Sequence, residues 1–410
     1  MSSFASTWSD LRWLTSAASI PYLELASDFA LSELQRAERL RRELSTRRAR
    51  LVLEQAALRQ RASDKFSVAR RMFFAPVALE QATDEQIARY KARRFTGDLV
   101  LDLCCGIGGD LVALAERGAV LGAELDPARA WLAAANLRVG ASPDSSSGGN
   151  AAPACERLVV CGDASRLRLP PDACWHIDPD RRVEGRRTVD VQHYAPRLEI
   201  LQRMLAEGPH AAIKLAPAAS VPDDWRAACE LEWISRGGEC RQQVVWCGRL
   251  ATAPGSRRAT RIDSSGNSSS IVGRADAPAD VALALGRYLH EPDPAVLAAR
   301  LIGALAAELR LQPIDADAVY LTSDEPARHP LAASFAIEEV LPLDLRKLRQ
   351  HLHARGIGRL EIKKRGVEHD PAAVRRQLAL RGERAATLVL TRLAGQRIAI
   401  VALRVATEPA

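Results

Sequence analysis

The sequence predicts an α/β chain built around a parallel sheet, with a helical segment before it and a smaller α/β unit behind it. Three observations carry this expectation. From Asp98 onward, short apolar runs alternate with amphipathic helical stretches, the pattern of strands joined by crossover helices. Residues 10–95 instead hold Leu, Ala, Glu, Arg and Gln at helical spacing, with no strand-like alternation. A stretch rich in Ser, Gly, Ala and Pro, 253–278, then separates a second and shorter alternation of strands and helices.

In order along the chain, Leu31–Arg61 is expected to be helical, with Leu40, Leu44, Leu51 and Leu58 on its apolar side. A helix over Thr83–Arg94 follows, with Thr83 as N-cap and Gln86 at the capping-box position. Strands are expected at Leu99–Leu103, Val120–Glu124, Arg157–Val160, Ala173–Ile177 and His210–Leu215. Cys229–Ile234 and Gln242–Cys247 are close enough in sequence to close the sheet as an antiparallel pair. Helices fit Gly109–Arg117, Ala128–Val139 and Pro196–Glu207, and Gly140–Ala154 reads as a surface insertion. Beyond the linker, helices are expected at Pro294–Leu309, Leu343–Arg355 and Pro371–Leu380. Strands are expected there at Ala318–Leu321, Leu360–Lys363, Ala386–Leu390 and Arg397–Leu403. The domains so drawn are 1–95, 96–252, a flexible linker 253–278, and 279–410.

Composition narrows the class. A chain of 410 residues, 47% hydrophobic and 26% charged, suits two or three globular domains. No run approaches the roughly 18 apolar residues of a membrane-spanning helix. Met1–Leu14 lacks the pattern of a secretory leader, so a cytoplasmic protein without a membrane partner is expected. The eight cysteines form no CxxC pair and no Cys/His spacing suited to zinc, so reduced thiols and no metal are expected. Charge is uneven: Leu341–Arg404 is net +10 and Leu31–Arg71 net +7, in a chain of +7 overall, so the remainder is net acidic. Two basic segments on an acidic background suggest a polyanionic partner.

The run from Val100 to Asp110, Val-Leu-Asp-Leu-Cys-Cys-Gly-Ile-Gly-Gly-Asp, leaves the first strand and opens a helix. Gly106 and Gly108 let the main chain turn and approach a ligand without a Cβ clash, and the helix start offers unpaired N–H groups. Many nucleotide-binding folds share such a turn, dehydrogenases included. Three acids favour S-adenosylmethionine as the cofactor. Asp102 precedes the turn, where a carboxylate can receive a methionine ammonium. Glu124 ends the second strand, placed for both ribose hydroxyls, and Asp163 follows the third, placed for the adenine amine.

On these motifs residues 98–250 resemble a class I S-adenosylmethionine-dependent methyltransferase, a Rossmann-like fold. The DxxCGxGG form of the turn resembles that of several nucleic-acid-modifying members. Cys104 departs from the commoner glycine and is expected to line the cofactor pocket while narrowing the turn. No Pro-Cys motif accompanies Cys104 or Cys105, so both read as packing residues rather than nucleophiles. After the fourth strand, His176-Ile177-Asp178-Pro179-Asp180-Arg181-Arg182 resembles the Asp-Pro-Pro-aromatic motif of amino-group methyltransferases. Asp178 and Pro179 match it and would orient an acceptor nitrogen. Asp180 replaces the second proline and Arg181 the aromatic, so Arg181 and Arg182 would hold a base or phosphate instead. Lys65, Asp178 and Lys214 also follow the order of the Lys-Asp-Lys-Glu set of ribose 2′-O-methyltransferases. Gln242-Gln243 stands where that set needs an acid, which makes the hydroxyl reading the weaker one. Lys214 is one of six lysines among 57 basic residues, and a lysine in so arginine-rich a chain invites a functional reading.

Behind the linker, Tyr288–Val296 and Leu360–Val367 resemble the THUMP-like domain found after such methyltransferase domains, over most of residues 275–404. That resemblance implies capture of structured RNA such as tRNA or rRNA. Lys363, Lys364 and Arg365, with Arg375, Arg376, Arg381 and Arg384, could form a phosphate-binding face. Lys363 and Lys364 must point to opposite sides of a strand. The alternatives are an RNA-binding protein with an inactive methyltransferase fold, or a methyltransferase acting on a protein or small molecule. The sequence leaves the oligomeric state open.

Overall fold

The computed structural model describes residues 8–140, 156–183, 186–315, 319–393 and 395–406, so most of the expected insertion at Gly140–Ala154 lies outside the described residues. The chain divides into two compact units, Met1–Cys229 with Val244–Pro254, and Glu230–Gln243 with Gly255–Ala410.

The first unit begins with α1 (Trp8–Leu14), α2 (Ile20–Ala26), α3 (Glu33–Arg41), α4 (Thr46–Ala62), α5 (Pro76–Gln81) and α6 (Glu85–Ala92). The single helix expected over Leu31–Arg61 is thus two. Ser45 stops continuity by capping α4, its hydroxyl accepting from Arg48 N, while Ser32 and Gln35 form a capping box on α3. Asp84, not Thr83, caps α6 and accepts from Gln86 N, which frees the Thr83 hydroxyl for other bonds. There follow β1 (Leu99–Leu103), α7 (Gly109–Ala115), β2 (Ala119–Glu124), α8 (Pro127–Val139), β3 (Arg157–Cys161) and β4 (Cys174–Ile177). A two-stranded ribbon of β5 (Arg182–Val183) and β6 (Arg186–Arg187) precedes α9 (Leu198–Glu207), β7 (Ala211–Leu215) and α10 (Asp223–Ala228). The parallel strands run β3-β2-β1-β4-β7, with β1 between β2 and β4, which places the carboxyl ends of β1 and β4 side by side.

The N-terminal helices, expected as a helical region over 1–95, share a core with the glycine turn and α8. Leu14, Leu40, Val52, Phe66, Met72 and Phe74 bury into one core with Ile107 of the glycine turn and Leu132 and Ala135 of α8. Asn136 ties the parts together: its amide donates to Phe73 O (3.0 Å) and Ile107 O (2.9 Å) and accepts from Phe73 N (2.7 Å). Every polar atom of that buried side chain is satisfied, which burial demands.

In the second unit, β8 (Glu230–Arg236) and the first residues of β9 (Glu239–Trp246) flank a turn at Gly237-Gly238. The stretch expected to be a flexible linker, 253–278, instead contains β10 (Arg257–Ile262) and β11 (Ser268–Gly273), an antiparallel pair with β10 parallel to β8. Its polar tip is ordered by Asp263, which accepts from the backbone N–H of Ser265 and Asn267. The composition was that of a hairpin turn, not of a linker. A second sheet follows, from β12 (Tyr288–Pro292), β13 (Gln312–Pro313), β14 (Leu321–Ser323), β15 (Ala332–Pro342), β16 (Ile357–Lys364), β17 (Arg384–Leu393) and β18 (Gln396–Arg404), in the order β13-β14-β12-β15-β18-β17-β16. Helices α11 (Pro294–Ala299) and α12 (Ile302–Leu309) replace the single helix expected at Pro294–Leu309, the break being Arg300 in the left-handed conformation. Leu348 and Leu352 of α13 (Leu345–Ala354) and Val374 and Leu378 of α14 (Pro371–Leu378) pack on one face of the sheet. β18 alternates accordingly, with Ala399 and Val401 toward the helices and Ile398, Ile400 and Ala402 toward a second core around Leu289, Tyr320 and Phe335.

Candidate active site

The glycine turn leaves β1 with Cys104, Gly106 and Gly108 all at positive φ (55°, 58° and 87°). Glycine suits two of these positions, and Cys104 carries the strain of a left-handed residue with a side chain. A Cβ on Gly106 would meet nothing within 4 Å, so the turn leaves space on that side. On the other side it is tightly backed, since a Cβ on Gly109 would lie 3.1 Å from Thr83 N.

The strand-end acids converge on this turn. Burial, then Glu124, Asp178, Asp102 and Asp163 in that order, pushes the Cys104 thiol far above its ordinary range. Burial likewise raises the Cys105 thiol. Both are thus held as protonated thiols. Glu124 is buried and accepts from Gly106 N and Asp126 N, both at 2.9 Å. Burial raises its pKa against those two amides. Asp163 is the more open acid, its Oδ1 accepting from Ser165 Oγ (2.7 Å) and Ser165 N (2.9 Å), which lowers its pKa.

Asp102 is fully buried. Its Oδ1 lies 2.7 Å from His176 Nδ1, on the neighbouring strand in register with it, while Oδ2 has no hydrogen-bond partner among the described residues. A buried carboxylate oxygen left without a partner beside a glycine turn fits the ammonium of S-adenosylmethionine, and the remaining acids fit its sugar and base. Bound there, the cofactor supplies a methyl group on a sulfonium.

Asp178 continues from β4, and its N–H donates to Leu103 O (3.2 Å), which sets it directly against Cys104. Its Oδ2 accepts from Lys214 Nζ at 2.6 Å, and a third of its side chain is exposed. Lys214 also donates to Thr83 Oγ1 (2.9 Å); burial lowers its pKa, but Asp178 and Asp110 together raise it above the ordinary value. Pro179 follows directly, and Asp180 bonds to Ala195 through both its backbone groups. Arg181 and Arg182 are half-buried, Arg182 turning its guanidinium toward Glu80 (3.7 Å). Lys65, by contrast, donates to the carbonyls of Leu79 (2.9 Å) and Ala82 (3.2 Å) at the end of α5. The structure thus joins Asp178 and Lys214, while Lys65 serves a helix end.

Four members of the site were missed by sequence reasoning. Thr83 donates to Asp110 Oδ2 (2.6 Å), Asp110 Oδ1 holds Lys91 Nζ (2.7 Å), and Lys91 lies 3.1 Å from His176 Nε2. The only sequence signal for Lys91 was its being a lysine in so arginine-rich a chain.

In the second unit, Leu360 and Ile362 of β16 face α13 and α14, so Lys364 points the same way and is exposed, as are Arg365, Arg375 and Arg376. Lys363 points to the other face, where Glu291 (2.7 Å) and Glu361 (3.1 Å) neutralise it above the Phe335 ring. Lys363 is therefore not part of the exposed basic face. Among the described residues no helix is long and apolar enough to cross a membrane, and no cluster of three or more His, Cys, Asp or Glu could hold a metal.

Residues 332–404 match the family model described as THUMP domain-like. Proteins from two Mycobacterium tuberculosis strains, each described as an uncharacterized S-adenosylmethionine-dependent methyltransferase, are 34% identical over 357 residues, covering 84% of this chain and 93% of theirs. A solved structure from Porphyromonas gingivalis, described provisionally as a methyltransferase, has the same fold, with a TM-score of 0.78 at 19% identity over 95% of this chain and 98% of that one. With the glycine turn, the strand-end acids and these relatives taken together, the chain belongs to the S-adenosylmethionine-dependent methyltransferases and carries a C-terminal THUMP-like domain.

Proposed function

We propose that the enzyme methylates a nitrogen of structured RNA, with Asp178 and Pro179 orienting the acceptor. The observation that carries this reading is Asp178. Its carboxylate stands at the edge of β4 against the cofactor turn, anchored through Oδ2 by Lys214 and partly exposed. Oδ1 is then available to accept from an acceptor N–H and turn the nitrogen lone pair toward the methyl. The carbonyl of Pro179 offers a second acceptor. A carboxylate held by a charged hydrogen bond loses little further freedom when it grips substrate. On this reading Asp102, Cys104, Gly106, Gly108, Glu124 and Asp163 line the cofactor site, and Arg181 and Arg182 stack on or pair with the acceptor nucleotide.

RNA is favoured by the THUMP-like domain together with its exposed Lys364, Arg365, Arg375 and Arg376. Seven described cysteines are free, which suits a reducing cytoplasm. The test is transfer of tritiated methyl from S-adenosylmethionine to RNA purified from cells lacking the protein, followed by nucleoside mass spectrometry. Label in a base nitrogen supports the reading. Label on a ribose hydroxyl moves the chemistry to Asp178 as the group that takes the O–H proton, with Lys214 holding its carboxylate in place. Cofactor binding without labelling of RNA points to a protein or small-molecule acceptor.

A further inference from the structure

Beneath the glycine turn runs an unbroken chain of polar side chains, from Asp178 through Lys214, Thr83, Asp110, Lys91 and His176 to Asp102. Asp102, Asp110, Lys91 and His176 are each more than nine-tenths buried. Asp178 at one end is partly exposed, and Asp102 at the other keeps one carboxylate oxygen without a hydrogen-bond partner among the described residues. The rest must earn their burial by what they do to those two carboxylates.

The donors and acceptors along the chain can be assigned. Burial pushes the Asp110 carboxyl up, but Lys91, paired with it at 2.7 Å, together with the other nearby cationic groups brings its pKa down, so Asp110 holds its charge. Burial lowers the Lys91 pKa against the pull of Asp110, and the 2.7 Å ion pair with that carboxylate keeps Lys91 an ammonium, which donates and cannot accept. His176 Nε2, 3.1 Å away, must therefore be the bare acceptor nitrogen. The ring proton sits on Nδ1 and donates to Asp102 Oδ1 at 2.7 Å. That bond consumes one carboxylate oxygen and leaves the other, the buried and unpartnered Oδ2.

We propose that His176 is a positioning residue for the cofactor, its Nδ1–H holding Asp102 so that Oδ2 is presented to the cofactor's amino-acid ammonium, with Lys91 fixing the tautomer. His176 itself touches no part of the ligand. Its loss lets the Asp102 carboxylate rotate, or protonate as burial already inclines it to, and either change weakens the grip on the ammonium alone.

The test uses full-length protein, calorimetry and two probes. S-adenosylhomocysteine carries the ammonium, whereas 5′-methylthioadenosine has the same adenosine and thioether but no amino-acid end. His176→Leu is expected to weaken S-adenosylhomocysteine at least 10-fold and 5′-methylthioadenosine less than 2-fold. His176→Asn, whose amide can donate from the Nδ1 position, is expected to restore the first affinity to within about 3-fold. Equal weakening of both probes, or an unchanged S-adenosylhomocysteine affinity, overturns the proposal. Should the leucine variant not fold, long-range proton–nitrogen NMR of histidine-labelled wild type decides, because an Nε2-protonated ring at pH 7 is incompatible with it. The inference rests on Asp102 receiving the ammonium, and Asp102→Asn is the control. If that variant fails to separate the two probes, the reading of Asp102 is wrong. If it separates them and His176→Leu does not, only the role of His176 falls.

Discussion

Lys214 Nζ lies 2.6 Å from Asp178 Oδ2, joining the carboxyl ends of two neighbouring parallel strands into one ion pair beside the cofactor turn. Strands β4 and β7 end together there, so a residue just past one meets the last turnward side chain of the other. Asp178→Ala is expected to abolish methyl transfer while S-adenosylmethionine affinity stays within about threefold. Lys214→Met should lower turnover at least tenfold with the same affinity, because the carboxylate then loses its anchor. Near-wild-type turnover in either variant, measured with tritiated cofactor, removes that residue from the acceptor site.

Glu124 accepts from two main-chain amides, and each oxygen keeps lone-pair capacity for a ribose hydroxyl. Glu124→Ala should weaken S-adenosylmethionine by about 1–3 kcal/mol, the range for a lost hydrogen bond to a charged group. Burial raises the pKa of this carboxyl. Affinity should therefore decline on acidification beginning above the ordinary range for glutamate, and titrations between pH 7 and pH 5 read this directly.

Cys161 is exposed, whereas burial and four nearby carboxylates hold the Cys104 thiol in its protonated form. Iodoacetamide at pH 8 should modify Cys161 quickly and leave Cys104 intact in the folded protein. Peptide mass spectrometry showing early alkylation of Cys104 would contradict the packing role assigned to it.

His290 is buried in β12 between Ser334 Oγ (3.0 Å) and Ser323 Oγ (2.7 Å), and burial brings its pKa down to about 4. The unfolded chain binds this proton at a higher pH than the folded one. Stability should therefore fall as pH drops from about 6.5 toward 4, by roughly 3 kcal/mol at most, and change little further through this group below 4. Denaturant titrations should show that slope, and His290→Asn should flatten it.

Lys364, Arg375 and Arg376 are exposed, whereas Lys363 is already neutralised by Glu291 and Glu361. Replacing the first three with Ala should weaken RNA retention and make its salt dependence shallower by up to about one unit of slope per lost phosphate contact. Lys363→Ala should leave that slope unchanged. A filter-binding series across salt concentrations separates the two outcomes.

Much of this protein follows from local pattern. Alternation of apolar runs and amphipathic stretches was enough to place the parallel strands within a residue or two, since period and turn chemistry are written in neighbouring positions. The glycine turn and the acids at 102, 124 and 163 were legible for the same reason. Strand β15 was not, because Ala332-Ala333-Ser334-Phe335-Ala336 has little intrinsic strand preference and is extended only by pairing with β12 and β18 on its two sides. The linker reading failed similarly: a Ser/Gly run becomes a hairpin tip when Asp263 and flanking strands organise it. What only the tertiary structure decided is the buried chain from Asp102 to Asp178. Lys91, Asp110, His176 and Lys214 come from two helices and two strands far apart in sequence, and a lysine's reach to one particular carboxylate is set by packing, not by any spacing a sequence displays.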